Sequence, residues 1–208
     1  MSTEDIKLNF VNLSYDTNNS SIVIFQQNIA EDFGDTAVAW KVIENCGRQD
    51  NHPFLFPLQF QVAAKDAWGN ITPQMPAYDG SAYEMIRDYS GDVLVQASFQ
   101  ARSPTEVEVL NNLEQGSIDA CCYKNGKLLA TKLSLSPGQK AVFAFHPRIY
   151  IGVVSQVSEG DIMNSAIIQQ VNTAINLLGI RSADIVMTGG GAGPNSTPFE
   201  FRLDNVNQ

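Results

Sequence analysis

The apolar residues of this chain recur mostly at every second position, the repeat of a strand with one buried face. Ile6, Leu8 and Phe10 alternate with Lys7 and Asn9 and predict a first strand. Asp16-Thr17-Asn18-Asn19-Ser20-Ser21 is turn chemistry; Ile22-Val23-Ile24-Phe25 after it is apolar throughout, which predicts a central strand. Asp32 to Asp35 reads as a turn, and Val38 to Ile43, carrying Trp40, as a third strand. The longest alternation puts Phe54, Phe56, Leu58, Phe60, Val62 and Ala64 on one face. Pro57 interrupts it without an N–H to donate, so this strand is expected at a sheet edge or with a bulge.

Further along, Tyr83 to Arg87, Val93 to Ala97 and Glu106 to Leu110 are weaker strands. Ile118 to Tyr123 and Leu128 to Leu135 flank Asn125-Gly126, a pair suited to the two positive φ angles of a type I′ turn. Ser136-Pro137-Gly138-Gln139 has Pro and Gly where a type II turn needs them. Ala141, Phe143 and Phe145, then Ile149 to Val154, continue the meander, and Ala183 to Met187 with Phe199 to Leu203 form a last pair.

One stretch departs from period two. Ser158-Glu159-Gly160-Asp161 resembles a capping box, and Ile162, Ala166, Ile167, Val171, Ala174, Ile175 and Leu178 follow at helical spacing up to Gly179. The spacing predicts an amphipathic helix from Glu159 to Leu178. The expected fold is therefore mainly β: an antiparallel two-sheet β-sandwich of about nine or ten strands with one amphipathic helix near the C-terminus. No internal repeat and no linker divides residues 1–208, which read as a single β-rich domain.

Composition narrows the partners. Charged residues make up 17% of the chain, so much of its surface is polar without charge. A formal net charge of −9, with thirteen basic residues scattered along the chain, disfavours nucleic acid and anionic membrane surfaces. Cys46, Cys121 and Cys122 are an odd set with an adjacent pair, which reads as buried thiols in a reducing compartment rather than a disulfide framework. No secretory leader pattern and no transmembrane segment is seen, so the expected location is the cytoplasm, or release without a classical signal peptide.

Chemistry is sparse. Thr188-Gly189-Gly190-Gly191-Ala192-Gly193-Pro194 departs from both dinucleotide and P-loop patterns and reads as a strand connection. His52 and His146 each precede a proline and have no second ligand at metal spacing, so neither a metal nor a cofactor is expected. No nucleophile elbow is present, and no catalytic residue is assigned. Two groups stand out. Trp68, between Asp66 and Asn70 with Tyr78 and Tyr83 nearby, is the kind of aromatic that stacks on a sugar; the plainer expectation is that it folds back over the end of the sandwich. Asn164, Gln169, Gln170, Asn172, Thr173 and Asn176 give the predicted helix an amide-rich outer face suited to self-association, or simply a polar surface.

These features favour a non-catalytic recognition or assembly protein: a lectin-like module for a neutral polar ligand such as a glycan, or a homo-oligomer subunit. One alternative is a hydrolase with a site built from scattered residues, whose mark would be a concave pocket holding His52 or His146 beside a carboxylate. Another is a leaderless, membrane-active, toxin-like β-protein.

Overall fold

A computed structural model describes residues 5–30, 37–171 and 173–208; the turn expected at Asp32 to Asp35 and the side chain of Asn172 lie outside them. The described chain is mainly β. Its strands are β1 (Ile6–Asn12), β2 (Ser21–Phe25), β3 (Ala37–Val38), β4 (Lys41–Ile43), β5 (Asn51–Phe56), β6 (Phe60–Asp66), β7 (Met75–Ala77), β8 (Ser81–Asp88) and β9 (Gly91–Gln100). They continue as β10 (Val107–Asn111), β11 (Ile118–Lys124), β12 (Lys127–Leu135), β13 (Lys140–Phe143), β14 (Arg148–Val154), β15 (Ile162–Met163), β16 (Thr173–Asn176), β17 (Ser182–Gly190) and β18 (Thr197–Asn207). Among the described residues the one α-helix, α1, spans Ser165–Gln170.

Contacts group the chain into two compact units. The first draws on the described residues of Met1–Gln27, Asp35–Leu58 and Pro147–Gln208. It holds one sheet in the order β18-β17-β1-β5, a second in the order β16-β14-β2-β4, and the small pair β15-β3. The second unit, built mainly from Gln59–His146, holds sheets in the orders β13-β10-β8-β9 and β12-β11-β6-β7. Pairing is mostly antiparallel, but β1 runs parallel to β17 and β10 parallel to β8, which corrects the all-antiparallel expectation. Partners so distant in sequence leave no local signal of orientation.

In the first unit, strand β2 is buried on both faces, as its unbroken apolar run predicts. Val23 and Phe25 belong to a cluster with Ala37, Ala39, Val157, Met163 and Val171, against which Ile167 and Ile168 pack. Phe25 stacks on Tyr150 at 5.3 Å. Of the stretch predicted as one long helix, Met163, Ile167, Ile168 and Val171 thus cover one face of the β2–β14 pair, while Thr173–Asn176 joins the sheet itself as β16. Their conformation corrects the prediction, for among the described residues only Ser165–Gln170 is α-helical. Ser158 to Asp161 is a tight turn: the Ser158 N–H donates to Asp161 Oδ2 at 2.7 Å, and Gly160 takes φ +91°. One half of the capping-box exchange is thus made without a helix behind it. Ile162, Val171, Thr173 and Ile175 are β-branched and adopt extended backbone, where branching at Cβ carries no rotamer cost. Ile162 and Leu178, ends of the supposed buried stripe, are exposed.

The alternation from Phe54 to Ala64 is likewise divided. Pro57, Leu58 and Gln59 separate β5, an edge strand of the first unit, from β6, an inner strand of the second. Pro53 sits on that edge strand, where its missing N–H interrupts no ladder. The Asn125-Gly126 hairpin forms as read, with φ of +51° and +72° and Lys124 paired to Lys127.

Candidate functional site

Strand β6 ends at Asp66 in a tip that returns through an isolated antiparallel bridge between Lys65 and Ile71. The Asp66 carboxylate holds this tip together. Its Oδ1 accepts from the backbone N–H of Trp68 at 2.9 Å and of Asn70 at 2.8 Å, while Oδ2 accepts from Asn70 Nδ2 at 2.8 Å. Backbone bonds run from Gly69 N to Asp66 O and from Asp66 N to Asn70 O. The Asn70 side-chain bond, followed by the backbone donors, lowers the carboxyl pKa below its ordinary value, so the clamp is present at neutral pH and loosens only in strong acid.

The consequence is a rigid tip with Trp68 at its apex, 88% exposed. The ring does not fold back over the protein. Ile71, just beyond, is exposed as well. Asp66 and Asn70 share the site with Trp68, but their bonding capacity goes largely to each other and to the tip backbone. Tyr78 is exposed elsewhere in the same unit. Tyr83 does not belong to the surface: its ring is buried and its hydroxyl donates to Pro76 O at 2.6 Å. Sequence spacing misses this because an aromatic on a half-buried strand looks the same facing in or out.

The amide-rich residues are distributed over two elements instead of one helical face. Asn164 caps α1, its Oδ1 accepting from Ile167 N at 3.1 Å, and Gln169 and Gln170 lie exposed on that helix. Thr173 and Asn176 sit on the edge strand β16, where Asn176 Oδ1 accepts from Leu178 N.

The glycine-rich segment is a clasp: Tyr15 N donates to Gly189 O at 2.8 Å and Gly191 N to Tyr15 O at 2.9 Å, while the Arg48 guanidinium lies over the Tyr15 ring at 3.9 Å. Cys121 and Cys122 are buried free thiols whose pKa values burial pushes up, and half-buried Cys46 shifts the same way, through desolvation and then Asp50. Tyr123, beside Cys121, is pushed up to about 12, chiefly by burial. Among the described residues no cluster of three His, Cys, Asp or Glu is placed to hold a metal ion, and no helix is long and apolar enough to cross a membrane.

Two clefts of about 530 Å³ each lie in the second unit among its described residues, one lined by Ile86, Arg87, Asn112, Leu113, Glu114 and Gln115, the other by residues 79–81 and 96–102. Neither contains a histidine. No protein-family model, curated protein or solved structure matches this chain.

Proposed function

We propose that this protein is a non-catalytic recognition module whose contact residue is Trp68, with a neutral ligand presenting a flat C–H face, such as a glycan ring, as its target. The observation that carries this reading is an 88% exposed tryptophan on a tip locked by one carboxylate. Exposing a large ring to water costs free energy in the unbound protein, and a clamped tip loses little entropy when the ring is covered. Ring stacking selects a ligand of this kind, and a low-charge surface does not repel it.

The test uses the two tryptophans separately. Trp40 is 1% exposed and packs edge-on against Phe56 at 5.6 Å, so aqueous quenchers reach Trp68 far more readily. A panel of neutral glycans titrated into the protein should alter the quencher-accessible emission. Trp68→Ala should abolish that response with no change in the thermal midpoint, because the ring buries almost nothing. A silent panel, or a midpoint that falls as it would for a core aromatic, removes the reading.

A second reading, self-association, is favoured by the exposed Ile162 and Leu178, which flank in sequence the exposed Gln169 and Gln170. If copies meet there, sedimentation should find an oligomer for the parent and a smaller species for Gln169→Glu with Gln170→Glu, since like charges then face each other across the contact. A monomeric parent at high micromolar concentration ends this reading.

A further inference from the structure

We infer that the chain is an internal duplication whose two halves have exchanged partners. Strands β1, β2, β4 and β5 of the first half correspond to β10, β11, β12 and β13 of the second. Likewise β6, β7, β8 and β9 correspond to β14, β16, β17 and β18. Under that correspondence the sheet β18-β17-β1-β5 becomes β9-β8-β10-β13, and β16-β14-β2-β4 becomes β7-β6-β11-β12; both are the orders observed. Every pairing keeps its orientation, including the one parallel pairing of each unit. The first unit therefore combines the leading segment of the first half with the trailing segment of the second. The second unit is built from the trailing segment of the first half and the leading segment of the second.

Strand order alone can recur by convergence; side-chain bonding at matched register is a stricter criterion. Asn12 stands opposite Met187 across its parallel ladder, and Asn111 opposite Met85. Leu8 faces Phe54 across the neighbouring antiparallel ladder, and Val107 faces Phe143. Asn12 Nδ2 donates to Cys46 O at 2.7 Å, and Asn111 Nδ2 to Leu135 O at 2.8 Å. Each asparagine Oδ1 accepts from the backbone N–H two residues on, of Ser14 and of Leu113.

The turns that follow those carbonyls match as well. Asp50 N donates to Gly47 O and Gln139 N to Ser136 O, both at 3.0 Å. The fourth residue's side chain answers the first residue's N–H in both: Gly47 N to Asp50 Oδ2 at 3.0 Å, Ser136 N to Gln139 Oε1 at 2.9 Å. Gln49 and Gly138 both have positive φ, and both donate N–H to the asparagine's carbonyl. Asn45 and Ser134, two residues before each turn, share the left-handed conformation at φ +53° and +57°. In the other segment, Leu177 to Ile180 and Tyr78 to Ser81 are the same turn, with Gly179 and Gly80 at φ +77° and +81°.

The copies differ in several connections, among them a two-residue turn between β8 and β9 where β17 and β18 are joined through Gly191 to Ser196; two others bear on the site. Between β2 and β4 and between β14 and β16, the first unit carries β3, β15 and α1. The second unit has the Asn125-Gly126 turn and the Trp68 tip in their places. The exposed tryptophan and the amide-rich helix are thus alternative elaborations of one connection.

Equivalent turns must be interchangeable. In the full chain, Gly47→Ser with Gln49→Gly and Asp50→Gln writes the second unit's turn into the first while keeping Arg48 on Tyr15. The expected result is cooperative melting at a midpoint no more than about 4 °C below the parent. Asn12→Ala should then lower the midpoint by the same amount in the parent and in the exchanged chain. The inference is overturned if the exchanged chain fails to fold, or no longer depends on Asn12, while the single variant Gln49→Gly folds like the parent. Failure of Gln49→Gly itself also overturns it, because position 49 would then lack the backbone conformation of Gly138.

Discussion

Gly189→Ala is expected to stop the chain from reaching its native fold, or to destabilise it by about 4 kcal/mol or more, among the largest effects of any single substitution. The reason is distance. A Cβ built on Gly189 would lie 2.0 Å from Pro198 O and 2.9 Å from the carbon of the same carbonyl, and both atoms are backbone of strand β18. No rotamer change relieves such a contact; β17 and β18 would have to move apart, and with them the bonds that Tyr15 makes to Gly189 and Gly191. Gly69 supplies the control. Its φ of +90° is nearly that of Gly189 at +89°, but nothing lies within 4 Å of its Cβ position. Gly69→Ala should therefore cost only the backbone term, about 1–2 kcal/mol. Urea unfolding of the two variants separates crowding from conformational strain. Similar losses for both would mean that the clasp is not closed as described.

Much of the strand pattern could be read from alternation, because a sheet with one buried face imposes period two on the residues that build it. Ile6 to Phe10 lies where that pattern puts it, Ile22 to Phe25 where an unbroken apolar run does, and the hairpin where Asn125-Gly126 marks its turn. The predicted helix is a different matter. Apolar residues from Ile162 to Leu178 do recur three and four apart, but in the first unit a short strand and a six-residue helix cover a sheet face and the chain then enters that sheet as its edge strand β16. The β-branched Ile162, Val171, Thr173 and Ile175 are extended, but Ile167 and Ile168 are helical, so branching alone does not mark where the helix lies. The unbroken apolar run of β2 was itself a sign that something must cover its second face.

The candidate site was legible in part. Asp66, Trp68 and Asn70 share one tip, as their adjacency requires, but neither the bonds Asp66 makes to the tip backbone nor the exposure of the Trp68 ring is revealed by composition. The correspondence between the halves left almost no trace in side-chain identity. A β pattern constrains only polarity at each position, so Asn12 and Asn111, Met187 and Met85, and Phe54 and Phe143 are matched islands among substituted neighbours.

The asparagine at the end of β10 carries the other large prediction. Asn111 is fully buried; its Nδ2 donates to Gly116 O at 2.9 Å and Leu135 O at 2.8 Å, and its Oδ1 accepts from Leu113 N at 3.1 Å. Asn111→Asp preserves shape but sets a carboxylate oxygen against two carbonyl oxygens, with water excluded. A buried charge without a partner costs about 3–5 kcal/mol, and that is the loss expected at neutral pH. Protonation removes the charge and restores one donor, so the folded-state pKa of the new carboxyl must lie above its unfolded value of about 3.9. The sign follows: relative to the parent, the variant is least impaired below that unfolded pKa, and loses stability as pH rises towards the folded one. Asn111→Ala, which introduces no charge, should cost about 1–3 kcal/mol with little change between pH 4 and 7. The equivalent Asn12→Asp should be milder. There, among the described residues, Nδ2 donates to the single carbonyl of Cys46, while Oδ1 already accepts from both the backbone and the hydroxyl of Ser14, bonds that a carboxylate keeps. Unfolding by urea at the two pH values checks the order. An Asn111→Asp variant losing the same stability at both, or less than Asn12→Asp, would show that position 111 is not the closed donor site these distances describe.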